Sequence, residues 1–236
     1  MELSVIVPAY NEGSGIRGVI EELVHELKKT GVLFEVIVVN NGSTDNTTSI
    51  LDQLREHTQE LVVVRVFPNQ GFGNGILTGM AHARGNVLGW MPGDGQLDAK
   101  DLVVAYFYLK NRRLDVVKGV RTVRNDNFFR FWQSKIYNFL FRILFTVPYS
   151  DINAPPKLFT RTVYEALALA SKDWFLDAEL ILRAHTVGYL IGEACLPGQQ
   201  RKWGRSKVVR FLTVCEFIKN MLKYKINHAP SKTNKT

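Results

Sequence analysis

Residues 90–98, Trp90-Met91-Pro92-Gly93-Asp94-Gly95-Gln96-Leu97-Asp98, end an apolar run in a Gly- and Pro-rich turn. That turn carries a carboxylate and a carboxamide two positions apart. Both are hard oxygen donors of the kind that Mg²⁺ or Mn²⁺ takes. The stretch therefore reads either as a solvated turn or as half of a metal and phosphate site. Two more polar turns follow apolar runs, Tyr10-Asn11-Glu12 and Asn40-Asn41-Gly42-Ser43. Ligands of open parallel sheets sit outside the carboxyl ends of the strands, so three such turns at three strand ends favour one shared site.

The elements that must position these turns are legible as alternating patterns. Residues 3–9, 34–40, 61–67 and 86–91 are short apolar runs of strand length. Between the first two, Ile16, Val19, Ile20, Leu23, Val24 and Leu27 recur at helical spacing, ending at Thr30-Gly31. Gly42-Ser43-Thr44-Asp45 opens the next helix, and a Gly-rich connection leads to a helix around 75–83. Near-continuous apolar strands alternating with helices predict an α/β fold with a mostly parallel sheet covered on both faces.

The chain has 236 residues, 46% hydrophobic and 22% charged, enough for one large core. It has no run of 18 uninterrupted apolar residues, and its N-terminus enters a strand pattern without a basic n-region, so neither a spanning helix nor a secretory signal is expected. Cys195 and Cys215 lack zinc spacing and read as reduced, structural thiols. From Gly198 onward ten Lys or Arg face one acid, Glu216, whereas the whole chain is +8. A near-neutral body with a basic C-terminal segment implies an anionic partner, or else a merely soluble tail.

Read together, "SVIVPAYNE", "VIVVNNGSTDNT", "NQGFGNG…AHARGN", "MPGDGQLD", "GVR" and "RKWGRSK" resemble, in order and spacing, the family 2 glycosyltransferases of the GT-A (Rossmann-like) fold. The nearer likeness is to the dolichol-phosphate mannose synthase and polyprenyl-phosphate glycosyltransferase branch. It covers about residues 3–210. The resemblance implies a GT-A domain over 1–210, with a nucleotide-binding half to about 121 and an acceptor half over 122–210, followed by a basic amphipathic segment at 211–236. Pro8, Tyr10 and Glu12 match the motif that holds the base and ribose of a nucleotide-sugar donor, with Val39, Asn41 and Gly93 alongside. Asp94 and Gln96 match the end of an Asp-X-Asp-X-Gln signature for a divalent cation and the diphosphate. Arg121 closes the fifth strand, and Arg201 and Lys207 match a loop that reaches the donor phosphates. The implied catalytic set is Asp94, Arg201, Lys207 and Asp151, with Arg121, Arg130 and Ser134 on the acceptor phosphate.

Two positions depart from the family. Pro92 and Asn40-Asn41 stand where carboxylates are usual, so Mg²⁺ or Mn²⁺ is expected to bind only weakly without nucleotide. Asn41 can donate as well as accept a hydrogen bond, so uracil and cytosine both remain open and guanine is less favoured. These losses also leave open a non-catalytic nucleotide-binding homologue.

Residues 125–149 interleave aromatics with Arg130, Lys135 and Arg142, and Val208, Phe211, Leu212, Cys215, Ile218 and Leu222 form a stripe flanked by cations. Both are expected to be amphipathic interfacial helices, with a core-packed terminal helix as the alternative for the second. The expected activity is inverting transfer of a sugar from a nucleotide donor to a polyprenyl phosphate, by a protein held peripherally at the cytoplasmic membrane face. Whether a membrane protein partners it stays open. A hydroxyl acceptor is the rival, with Asp151 or Glu179 as base. Asp177 and Glu179 otherwise read as capping their helix or touching the sugar, with capping the favoured reading for Asp177. A nucleic-acid partner is not expected, because the aromatics lie in 128–149 and the surplus charge after 198.

Overall fold

The computed structural model describes residues 1–122, 141–197 and 219–226. β2 (Phe34–Asn41) is buried along its whole length and lies between β1 (Leu3–Ala9) and β3 (Leu61–Val66), parallel to both. β4 (Val87–Trp90) pairs parallel with β1 on its other side. The described sheet has seven strands in the order β3-β2-β1-β4-β6-β5-β7. β6 (Lys157–Thr160) runs antiparallel between β4 and β5 (Val116–Arg121), and β7 (Ile191–Leu196) pairs parallel with β5. The carboxyl ends of β1, β2, β4 and β5 therefore share one edge with the start of β6.

α1 (Ile16–Lys28) buries the predicted stripe, Ile16, Val19, Ile20, Leu23, Val24 and Leu27. With α2 (Thr47–His57) and α4 (Ala99–Arg112) it covers one face of the sheet. α3 (Phe72–His82), α5 (Arg161–Leu167) and α6 (Leu176–Val187) cover the other. α3 begins at Phe72 rather than near residue 75. Its glycines lower helix propensity but permit close packing: a Cβ on Gly79 would lie 2.6 Å from Ile6 Cγ2 and 2.9 Å from Val39 Cγ2.

Some expectations for the second half are corrected. Phe141 is fully buried, Phe145 packs against it and against Tyr224, and Met221 is fully buried. Asn220 donates to Asp173 Oδ2 at 2.8 Å. These parts of the expected interfacial helices thus dock on the α6 side of the core, whereas Ile143 and Leu222 in the same segments are exposed; residues 125–140 and 208–218 lie outside the described residues. Cys195 is exposed rather than structural, and Cys215 lies outside the described residues.

α4 is capped by Asp98, whose side chain accepts from Lys100 N at 2.9 Å. Three residues on, Asp101 is buried and its Oδ2 has no hydrogen-bond partner among the described residues. Burial, followed by the charge of Asp98, pushes this carboxyl from 3.8 up to about 6. Its folded value lies above its unfolded one, so its stabilising contribution is present below the unfolded value and lost as pH rises through about 6. Asp101→Asn is therefore expected to stabilise the fold by about 1–2 kcal/mol at pH 7.5. That advantage should shrink towards pH 4, as followed by urea denaturation at both pH values. A difference independent of pH would contradict the assignment.

Candidate active site

Strand-end turns interlock at the carboxyl edge. Asn11, at φ 52°, donates its backbone N–H to Ser43 Oγ at 3.0 Å, and its Oδ1 accepts from Thr44 N at 2.7 Å. Asparagine tolerates this left-handed conformation better than most residues. The Glu12 backbone N–H donates to Thr47 Oγ1 at 3.0 Å, and Gly13 N to Asp45 Oδ2 at 3.1 Å. The turn after β1 is thereby bolted to the loop that opens α2. Glu12 is buried, Tyr10 is exposed and Pro8 is half-buried in register with Val39. The Val39 side chain is fully buried beneath α3, so it supports the site from within rather than lining it.

The two asparagines ending β2 divide between the faces. Asn40 donates to Thr48 Oγ1 at 2.8 Å and accepts from Ser43 N at 3.1 Å, which fixes the α2 loop. Asn41 faces α3 and donates to Gly71 O at 2.8 Å and to Asn69 Oδ1 at 3.3 Å. Gly42, at φ 77°, makes the turn that follows, and a Cβ there would lie 2.7 Å from Asn69 N.

Beyond β4, Asp94 Oδ1 accepts from Gln96 N at 3.0 Å, closing the turn on itself. Gly93 lies against Pro8 O and the Ile16 side chain, so the turn rests directly on β1 and the first turn of α1. Asp94 and Gln96 are half-buried. Pro92 brings no carboxylate, and no group of three or more His, Cys, Asp or Glu fit to hold a metal occurs among the described residues. One carboxylate and one carboxamide give two oxygen donors, so a divalent cation here would need water or a ligand's phosphate oxygens to complete its shell.

Across β6, Arg121 at the end of β5 grips Asp151 in a two-point ion pair, Nε to Oδ2 at 2.9 Å and Nη2 to Oδ1 at 2.7 Å. Asp151 is buried, whereas the Arg121 side chain keeps 30% exposure at the edge. Beneath this pair runs a buried row that sequence reasoning missed. Trp90, Lys157 and Lys118 stand in register across β4, β6 and β5. Lys157 Nζ pairs with Asp177 Oδ1 at 3.1 Å and donates to Ala154 O, and Trp90 Nε1 donates to the same Asp177 oxygen at 3.1 Å. Lys118 Nζ pairs with Glu193 Oε1 at 3.0 Å and donates to the Gly119 and Ser150 carbonyls. Burial, then the charge of Lys157, lowers Lys118 from 10.5 to about 8 despite Glu193. Burial likewise pushes Lys157 down and Asp177 up, opposed by their mutual attraction.

Asp177 and Glu179 both lie in the first turn of α6, but no side-chain hydrogen bond caps that helix. Asp177 belongs to the buried row. Glu179 accepts from Ser171 N at 2.7 Å and from Ala170 N, and pairs with Arg183. The loop it anchors meets the start of α3, where Trp174 stacks on Phe72 with centroids 4.0 Å apart. The structure thus gathers Pro8, Tyr10, Glu12, Asn41, Gly93, Asp94, Gln96, Arg121 and Asp151 at one edge of the sheet. Arg130, Ser134, Arg201 and Lys207 lie outside the described residues.

Residues 4–177 match Glycosyl transferase family 2. The chain is 33% identical over 216 residues to the dolichyl-phosphate beta-glucosyltransferase of Drosophila melanogaster, covering 83% of this chain and 66% of that protein. It is 29% identical over 211 residues to the undecaprenyl-phosphate 4-deoxy-4-formamido-L-arabinose transferase of Pseudomonas savastanoi pv. phaseolicola, covering 87% and 60%. The chain spans about a third to two thirds of the length of the curated relatives it matches. Among solved structures, glucosyl-3-phosphoglycerate synthase from Mycobacterium tuberculosis, in complex with Mn²⁺, UDP and phosphoglyceric acid, superposes with a TM-score of 0.74 at 17% identity, over 94% of this chain and 78% of that one. The mannosyltransferase PcManGT from Pyrobaculum calidifontis, in complex with GDP-Man and Mn²⁺, superposes with a TM-score of 0.63 at 19% identity, over 96% and 64%.

Proposed function

This chain belongs to glycosyl transferase family 2 and has the GT-A fold; from that premise we propose that it is a glycosyltransferase that moves a sugar from a nucleoside-diphosphate donor to the phosphate of a polyprenyl lipid. The observation that carries this reading is the state of the two carboxylates nominated as a base. Asp151 has both oxygens on Arg121, and Glu179 is engaged by backbone N–H groups and Arg183. A hydroxyl acceptor must lose its proton as it attacks, and a base so engaged is poorly placed to take it. A lipid phosphate oxygen is already anionic and needs no such base. The names of the Drosophila and Pseudomonas relatives support the same acceptor class.

In this reading the base and ribose rest on Pro8, Tyr10, Glu12 and Asn41, and the diphosphate on the Asp94–Gln96 turn. A lipid phosphate oxygen attacks the anomeric carbon, the bond from that carbon to the diphosphate oxygen breaks, and the electron pair leaves with the nucleoside diphosphate. One displacement inverts the configuration. A divalent cation held between Asp94 and the diphosphate would neutralise charge on the leaving group. Arg201 and Lys207 are assigned to the same charge, Arg130 and Ser134 to the acceptor phosphate, and Arg121, aimed by Asp151, to holding that phosphate in line.

The surface supports a membrane-borne acceptor. No described helix is long and apolar enough to cross a membrane. Leu222 and Ile226 are exposed beside Lys219, Lys223 and Lys225, and Ile143 beside Arg142. Exposed apolar side chains next to cations suit an anionic lipid surface. The test supplies labelled UDP-, GDP- and CDP-sugars to vesicles containing polyprenyl phosphate, unphosphorylated polyprenol, or neither with a soluble hydroxyl acceptor. Label entering the lipid fraction with polyprenyl phosphate alone is expected. Transfer to polyprenol or to the soluble hydroxyl compound instead would contradict the proposal.

A further inference from the structure

The loop that leads into β6 carries Asp151, the residue that aims Arg121. Asp151 sits at φ 43°, a left-handed conformation that a residue other than glycine keeps only where its surroundings hold it. Two fully buried lysines do so, one on each side. Before Asp151, Lys118 Nζ donates to Ser150 O; after it, Lys157 Nζ donates to Ala154 O at 2.6 Å. Ala154 N donates in turn to Asp151 O at 2.9 Å, which closes the turn between the two anchors. Glu193 of β7 completes the first anchor. Its Oε1 accepts from Ser150 N at 2.9 Å, from Ser150 Oγ at 3.2 Å and from Lys118 Nζ at 3.0 Å. One Lys–Glu pair thus holds both the N–H and the C=O of Ser150. Gly119 lets β5 come this close to the loop, since a Cβ there would lie 2.0 Å from Pro155 O.

Stability alone does not call for such a row. Lys118 and Lys157 are directly opposed across β5 and β6 and repel one another, and apolar side chains of similar size are often as stable as a buried ion pair. What the row supplies is a fixed position for the loop. We propose that the Lys118–Glu193 pair positions Arg121 for the acceptor, by clamping Ser150 and so holding Asp151 against the guanidinium. The proposal rests on the phosphate-acceptor reading above, in which Arg121 meets the lipid phosphate. Lys118 and Glu193 are positioning residues in it, acting on the acceptor only through Ser150, Asp151 and Arg121. The Arg121 backbone N–H also points to Asp151 Oδ2, at 3.3 Å, so a shifted Asp151 disturbs the strand end as well as the side chain.

The test measures sugar transfer to polyprenyl phosphate in vesicles with the nucleotide sugar that the wild-type protein uses, varying acceptor and donor separately, with urea midpoints alongside. Lys118→Met with Glu193→Leu removes both holds on Ser150 and takes out the ion pair whole, so neither charge is left without its partner. It is expected to raise KM for polyprenyl phosphate about tenfold, as loss of a charge-assisted hydrogen bond does, with the donor KM unchanged and a urea midpoint near that of wild type. Glu193→Gln keeps an oxygen for Ser150 N, Ser150 Oγ and Lys118 Nζ but withdraws the counter-charge from a buried lysine. It is expected to lower the urea midpoint yet raise the acceptor KM less than about twofold, because the same donors keep an acceptor. A merely structural role predicts the opposite order, with activity following stability and both KM values moving together. Lys118→Met alone leaves Glu193 at a partly exposed position and gives the same reading, a rise of about threefold in acceptor KM, should the double variant not fold. Variants lacking Lys118 whose acceptor KM is that of wild type, or whose donor KM rises equally, overturn this proposal alone. A Glu193→Gln protein as impaired towards the acceptor as the double variant does the same. A wild-type protein that transfers nothing to polyprenyl phosphate removes the acceptor reading and this proposal with it.

Discussion

Asp94→Ala is expected to lower sugar transfer by about a hundredfold to a thousandfold while the protein stays folded, judged by what single charge-stabilising groups contribute elsewhere. Asp94 is half-buried in a turn outside both core clusters, so its loss removes little packing. It is also the carboxylate left in this turn, because Pro92 stands where the family's other acid would be. Charge on a departing diphosphate then falls to the cation held with Asp94 and to the basic loop of Arg201 and Lys207. Thermal unfolding separates the roles. Wild-type protein should gain stability from a nucleoside diphosphate, gain more when Mn²⁺ is added, and gain nothing from Mn²⁺ alone. Asp94→Ala should keep the first increment and lose the second. A variant that retains the Mn²⁺ increment would show that the cation is held elsewhere.

Asp177→Ala is expected to be the most damaging substitution to the fold, costing about 3–5 kcal/mol. It strands Lys157, fully buried, with the Ala154 carbonyl as its remaining hydrogen-bond partner among the described residues, and takes the acceptor from Trp90 Nε1. Lys157→Met with Asp177→Leu should be milder than Asp177→Ala despite changing two residues, because buried ion pairs replaced whole by apolar groups of similar size are often tolerated. The order of urea midpoints reads the result. A double variant less stable than the single would mean that the pair stabilises outright. The consequence extends to the site, since Trp90 immediately precedes the Met91–Gln96 turn, and slack at Trp90 should weaken nucleotide binding before global unfolding.

How far these features could be read beforehand depends on the range of the interactions that make them. β1 to β4 and α1 are written in local periodicity, and each predicted turn sits at the strand end expected for it. β6 went unseen because its four residues follow two prolines and begin with a lysine, which reads as loop. What buries Lys157 is Asp177, far along the chain, and no local pattern announces such a pairing. The same holds for Arg121 and Asp151: both were nominated, but their mutual engagement, which argues against Asp151 as a base, is a tertiary fact. Phe141 and Phe145 illustrate the opposite error. Aromatics beside cations suggested a lipid interface, yet these two rings complete the core over α6. At Asn41 the residue type announces a polar side chain, but the loop 28 to 30 positions away that engages both ends of its amide is again a tertiary fact.

The most direct measurement is a crystal of the protein soaked with Mn²⁺ and UDP, examined by anomalous scattering at the manganese edge. The account predicts a manganese peak coordinated by the Asp94 carboxylate and the diphosphate, with the uracil against Asn41 and the ribose beside Glu12. Manganese bound away from Asp94, or a nucleotide lying outside the carboxyl edge of β1, β2 and β4, would contradict it.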